Sequence, residues 1–228
     1  MLRTFASKYL LRSMLAAGGL SAVVMAAPAH ADVTVQFEGY VADKMDRITS
    51  IDKNREKVFR QFRTEGTRTQ VQPRDALNRS YFAGTEWGNE RIFPDVEDYT
   101  VPGLIQGMIE RGLKAADPDF SGTVEVTIDK LRIKDFSLAV VSAGSTQMGG
   151  KVRVLDAAGN VTLERDVWAG MAPDYTAANN YTGPDYAYTA AAVDTRVGPI
   201  AAEFAEKTVE ALYPDFDAPG AVVVHGRE

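Results

Sequence analysis

The stretch Lys151-Val152-Arg153-Val154-Leu155-Asp156-Ala157-Ala158-Gly159-Asn160-Val161-Thr162-Leu163-Glu164-Arg165-Asp166-Val167-Trp168 decides the fold class. Two strand-like runs, Lys151–Leu155 and Val161–Trp168, flank a five-residue turn that contains Gly159. That pattern predicts a β-hairpin. Upstream, Thr123–Ile133 alternates, but its apolar residues change parity. Val124, Val126 and Ile128 fall on one side, Leu131 and Ile133 on the other. Because strand side chains repeat every two residues, the switch predicts a β-bulge near Asp129-Lys130. Leu138–Val141 adds a short apolar run, Val33–Glu38 an alternating strand, and Ala221–Val224 an edge strand.

Helices surround this block of strands. Val41, Met45, Ile48, Ile51, Val58, Phe59 and Phe62 have helical spacing and predict a helix over 43–65, with Gly66 as its terminator. The part from Val58 to Val71 also reads as strand. Residues 67–100 are irregular, punctuated by Pro73, Gly84, Gly88 and Pro94. Thr100 then serves as an N-cap before Pro102, and Ile105, Met108, Ile109, Gly112, Leu113 and Ala116 line one face. Gly103 and Gly107 on this helix predict close packing against a sheet. A last helix starts near Gly198-Pro199 and runs to Tyr213, where Pro214 stops it. Clustered strands and segregated helices give an α+β class. The expectation is a mostly antiparallel sheet of four to five strands with two or three helices packed on it.

Residues 149–214 resemble small α+β envelope modules of Gram-negative bacteria, the ABC-transport auxiliary and YajG-like lipoproteins. The resemblance rests on the strand and turn Gly149–Asn160, the strand ending Val167-Trp168-Ala169-Gly170, and the helix ending Ala211-Leu212-Tyr213-Pro214. It implies a non-catalytic assembly or binding role. The chain lacks any lipidation Cys, so the resemblance implies a soluble relative.

The chain has 228 residues and no Cys, which excludes thiolate metal sites, Cys nucleophiles and disulfides. Arg3, Lys8 and Arg12 precede an apolar run, Met14–Ala27, and then Pro28-Ala29-His30-Ala31. That order predicts a signal peptide, residues 1–31, cleaved after Ala31 to leave one α+β domain, 32–228. The apolar run is shorter than the roughly 18 residues a membrane span needs. Removing residues 1–31 takes three basic and no acidic residues from a net charge of −6, leaving −9. An acidic chain is a poor partner for nucleic acid. The expected place is the periplasm of a Gram-negative cell, or outside it.

Catalytic signals are sparse. His30 leaves with the signal peptide, and His225 stands near a terminus, so no triad is expected. Acid pairs suited to hydrolysis are Glu86 with Glu90, Asp95 with Glu97 and Asp98, and Asp174 with Asp185; the common reading of such pairs is a solvated acidic surface. Arg55, Lys57, Arg60 and Arg63 read as a solvated basic face. Asp117, Asp119 and Ser121 place oxygen donors as a calcium loop begins, but position twelve is Ile128 where such a loop carries Glu. The competing reading is a polar helix-to-strand turn in which Gly122 supplies an unusual backbone angle. No cofactor is expected. The favoured function is a non-catalytic binder of another envelope component, with a carboxylate-dependent hydrolase of cell-wall or polysaccharide material as the alternative. Its contact surface is expected at Trp168, Tyr175, Asn179, Asn180, Tyr181, Tyr186 and Tyr188, where stiff aromatics alternate with adaptable polar residues. Alternatively those tyrosines fold back and cap the core.

Overall fold

The computed structural model describes residues 32–65, 82–136, 141, 143–176 and 180–225. The expected signal peptide, Asn179 and most of the Leu138–Val141 run lie outside these. The fold is α+β, with a four-stranded mixed sheet, a small parallel sheet and helices packed on them.

β1 (Asp32–Phe37) lies parallel to β2 (Thr123–Arg132), with Asp32 opposite Thr123 and Phe37 opposite Ile128. β2 pairs antiparallel with β3 (Gln147–Leu155), and β3 with β4 (Val161–Gly170), giving the order β1-β2-β3-β4. The predicted hairpin forms β3 and β4. Its turn is tied by Asp156, whose carboxylate accepts from the Ala158 and Asn160 amides at 2.8 and 2.9 Å, while Gly159 takes φ 82°. The bulge also falls where parity changes, between Ile128 and Lys130. It keeps Val124, Val126, Ile128 and Leu131 all on the buried face. At the bulge a Cβ on Gly150 would stand 2.3 Å from the Thr127 carbonyl oxygen, so this crowded position needs glycine.

Five helices are described: α1 (Gly39–Glu65), α2 (Gly88–Ile92), α3 (Val101–Ala116), α4 (Ala190–Thr195) and α5 (Val197–Leu212), with a 3-10 turn at Val96–Asp98. α1 is intact through residues 58–65, which settles the helix-or-strand ambiguity for that part. The Thr100 hydroxyl caps α3 by accepting from the Gly103 amide at 3.1 Å. Leu104, Ile105, Met108, Ile109 and Leu113 are at most 1% exposed. α3 and α5 pack together, and both reach the four-stranded sheet. The glycines of α3 do not face that sheet. A Cβ at Gly103 would meet the Phe93 ring at 2.8 Å, at Gly107 the Ile92 side chain at 2.6 Å, and at Gly112 Val209 of α5 at 2.7 Å. The small residues therefore admit neighbouring helices and the 92–93 segment.

The second sheet departs from expectation. β5 (Asp174–Thr176), β6 (Tyr186–Tyr188) and β7 (Ala221–Val224) run parallel in the order β5-β7-β6. Ala221–Val224 is thus the central strand, with all four residues buried, and not an edge. A short apolar run suits burial on both faces, but periodicity does not identify its neighbours.

α5 holds β7 partly through Glu203, 6% exposed, which accepts from the Ala221 amide at 3.3 Å. Burial first, and the neighbouring Glu206 second, push the Glu203 carboxyl up to about 7 from the ordinary 4.5. The folded chain therefore holds a proton there that the unfolded chain releases near 4.5. Stability is fully present below that value and declines as pH rises through 7. Glu203→Gln should remove much of this decline, a gain on the order of 1–3 kcal/mol above pH 8. Urea unfolding of both proteins at pH 5 and 8 measures it, and Glu206, also shifted up by burial, keeps part of the slope.

Candidate functional site

The inward stripe of α1 begins apolar with Val41, Met45 and Ile48, then turns polar at Asp52 and Glu56. These two carboxylates are 0% and 2% exposed. Burial of that kind is tolerated only with partners. The principal partner is Arg196, 8% exposed, between α4 and α5. Its Nε donates to Asp52 Oδ1 at 2.9 Å and its Nη2 to Glu56 Oε2 at 2.6 Å. Asp52 also accepts from the Val197 amide at 3.1 Å, at the start of α5, and from the Tyr99 hydroxyl. Glu56 accepts further from Arg60 Nε at 2.8 Å and from Asn89 Nδ2 at 2.9 Å. The Tyr188 hydroxyl completes the chain by donating to Asn89 Oδ1 at 3.0 Å.

Electrostatics follow from this geometry. Burial opposes charge on Arg196, but Asp52 and Glu56 outweigh it and hold the guanidinium firmly protonated. Burial likewise opposes charge on Glu56, and Arg196 and Arg60 reverse that, lowering its carboxyl below the ordinary range. Tyr99 and Tyr188 are pushed up, by burial first and then by Asp52 and Glu56 respectively. Both phenols stay neutral donors.

A cavity of about 370 Å³ opens beside this network. Val58 and Phe59 of α1, Trp87, Ala187 of β6, and Ala191 and Ala192 of α4 supply apolar wall, while Arg55, Glu56, Asn89, Tyr188 and Arg196 supply the polar part. Trp87 is 3% exposed, with Phe59 and Phe82 edge-on at 5.0 and 5.6 Å. Its indole N–H is buried without a hydrogen-bond partner among the described residues. Tyr188 is wedged between two glycines: a Cβ at Gly88 would come within 2.7 Å of its ring, and one at Gly198 within 2.8 Å. Thus Gly88 and Gly198 set the position of one cavity wall.

The α1 arginines are not a solvated face. Arg60 also donates to the Pro94 and Phe93 carbonyls at 2.7 Å each, and Arg63 pairs with Glu90 and lies over Phe59 and Trp87. They belong to the buried network because α2 and residues 93–94 fold over that side of α1. Several of the acids singled out in sequence are also engaged. Glu86 pairs with Arg91 at 2.8 Å, Glu97 with Lys57 at 2.7 Å, and Asp95 caps the 3-10 turn at 2.8 Å. Asp185 accepts from the Tyr181 hydroxyl at 2.9 Å.

The tyrosine-rich segment is divided among several environments. Tyr175 is 67% exposed on β5, and Trp168 is 51% exposed on β4. Trp168 covers Gly149, has Lys130 at 5.1 Å from its ring, and borders a second cavity of about 470 Å³ whose walls include Asp129, Lys151, Arg153 and Asp166. Asn180, at φ 56°, accepts from the Gly84 amide at 2.8 Å, and the Tyr181 amide donates to Thr85 Oγ1 at 3.3 Å. These two pin the segment to residues 84–85. Tyr186 is 1% exposed, in the core, with its hydroxyl directed to the Met108 carbonyl at 3.4 Å. Among the described residues of this group, Tyr188 alone borders the first cavity.

At the expected calcium loop, both Asp117 carboxylate oxygens are engaged. Oδ1 accepts from the Asp119 amide and Oδ2 from the Tyr213 hydroxyl, each at 3.1 Å. Gly122 has no positive φ; it gives room to the Phe120 ring, which a Cβ would approach to 2.8 Å. Among the described residues no group of three or more His, Cys, Asp or Glu is placed to hold a metal ion.

Removing Arg196 takes from buried Asp52 its salt-bridge partner among the described residues and leaves Glu56 with Arg60. Arg196→Gln should therefore destabilise by about 3–5 kcal/mol. The loss should shrink at pH 5, where a stranded carboxyl with a raised pKa takes up a proton, and grow toward pH 8. Denaturant unfolding at the two pH values checks both sign and size.

Comparison with known protein families, curated proteins and solved structures finds no match, so these residues stand on their own geometry.

Proposed function

We propose that this chain is a non-catalytic binding protein of the Gram-negative cell envelope, exported on residues 1–31, that holds another envelope component. The observation that carries the reading is Glu56. It is the carboxylate that borders the first cavity, and Arg196, Arg60 and Asn89 all donate to it. A carboxyl so held is poorly suited to give or take a proton, as a hydrolase acid or base must. Export is supported by the basic, apolar and small-residue order of residues 1–31. A binding role is supported by the resemblance of residues 149–214 to envelope modules. Among the described residues no helix is long and apolar enough to cross a membrane.

The contact surface on this reading is Trp168 and Tyr175, the exposed aromatics of the segment. Material recovered from the periplasm should begin at Asp32 on N-terminal sequencing; a product still starting at Met1 would overturn export. Trp168→Ala and Tyr175→Ala should each change stability by about 0.5 kcal/mol or less. Each should weaken capture of the envelope component that the unaltered protein retains by about 1–2 kcal/mol. Tyr186→Ala should instead cost about 3 kcal/mol or more of stability. Thermal melts and quantitative capture from envelope extracts measure the three.

A further inference from the structure

Arg55 is the cation that the buried network leaves over. The guanidiniums of Arg60, Arg63 and Arg196 are each within 4.0 Å of a carboxylate of Asp52, Glu56 or Glu90. Arg55 has no carboxylate within that distance among the described residues. Its Nη1 donates to the Thr195 carbonyl, and its guanidinium stacks on the Phe136 ring at 4.7 Å. It is half-buried and borders the first cavity. Among the described residues Arg55 is thus the guanidinium of this group with no carboxylate beside it, and it sits where its charge can be answered from the cavity. Burial lowers its pKa, with nearby Arg196 acting the same way and Asp52 only partly offsetting it. The attraction of an anion arriving at Arg55 would offset both effects.

The apolar walls of the cavity include Phe59, Trp87, Ala187 and Ala191. A volume of about 370 Å³ falls in the range of small-molecule sites, which combine apolar walls with a few placed polar groups. Glu56 borders the same space, so a doubly charged head such as a phosphate monoester meets repulsion that a single carboxylate largely escapes. A guanidinium fork matches a carboxylate in shape as well as charge.

We propose that this cavity binds a small amphipathic carboxylate, its head on Arg55 and its apolar body against Phe59, Trp87 and Ala191. The inference rests on the reading of the chain as a binding protein and names the class of ligand the cavity takes. No bond is made or broken.

The test uses the protein expressed from its full sequence, carrying Trp168→Phe so that Trp87 is the one remaining tryptophan. Octanoate, octanol and octyl phosphate are titrated against Trp87 fluorescence and by calorimetry. Octanoate should bind roughly tenfold or more tighter than octanol, and tighter than octyl phosphate. Arg55→Gln should erase the preference of octanoate over octanol while octanol binding persists. Ala191→Phe, which fills the cavity and leaves Arg55 in place, should abolish binding of both, and it decides the matter if Arg55→Gln does not fold. An apolar tripeptide with a free C-terminal carboxylate runs alongside; if it binds tighter than octanoate, the same carboxylate is that of a chain end. Equal affinity for octanoate and octanol, tighter octyl phosphate, binding that survives Ala191→Phe, or no binding of any probe each overturns the proposal. Recovery of octanoate unchanged separates this outcome from that of the wider reading. A ligand converted to product would sink the non-catalytic role, whereas no octanoate binding beside intact capture of an envelope component by the protein with Trp168 unchanged would sink only the carboxylate site.

Discussion

Arg196 keeps its charge at 8% exposure because Asp52 and Glu56 stand on either side of it, and five parts of the fold are tied through that arrangement. α1 supplies both carboxylates. The segment before α3 adds Tyr99, α2 adds Asn89, β6 adds Tyr188, and α5 begins on the Asp52 oxygen. Apolar packing alone is non-directional and tolerates sliding. Hydrogen bonds to a charged centre have fixed lengths and directions, so the network sets the register in which these pieces meet. The cavity is a product of that register: Tyr188, Asn89 and Arg196 are at once network members and cavity wall.

A buried ion cluster of this sort stabilises little compared with an apolar replacement of the same shape, because desolvation offsets most of the attraction. Its value lies in the cost of disturbing it. Any motion that separates Arg196 from Asp52 or Glu56 gives up a charged hydrogen bond in the interior. Cavity shape is thereby held against fluctuation, and a ligand entering it meets a wall that is already ordered.

Local pattern revealed the elements better than their partners. The hairpin, the bulge at Ile128–Lys130, the Thr100 cap and the apolar face of α3 each depend on residues close together in the chain, and each is found as read. The second sheet depends on pairing between residues some 35 to 50 positions apart, Tyr186 with Ala221 and Asp174 with Val222. Its outer strands are three residues long, too short to show alternation. The ion network was hidden for a related reason. Asp52 and Glu56 interrupt an apolar stripe that resumes at Phe59 and Phe62, and that interruption was its one local trace. Their partner, Arg196, is 144 residues from Asp52 and carries no mark of its own.

β7 completes its sheet across long intervals of chain. β5 and β6 have no bond to each other and meet only through Ala221–Val224. β1, at the other end of the described chain, waits some ninety residues for β2. Neither sheet can therefore close from local pairing alone, because each needs partners some 35 to 90 residues apart. Such pairings give up loop freedom before any contact rewards it, so they form slowly compared with the β3–β4 hairpin, whose partners are joined by a five-residue turn.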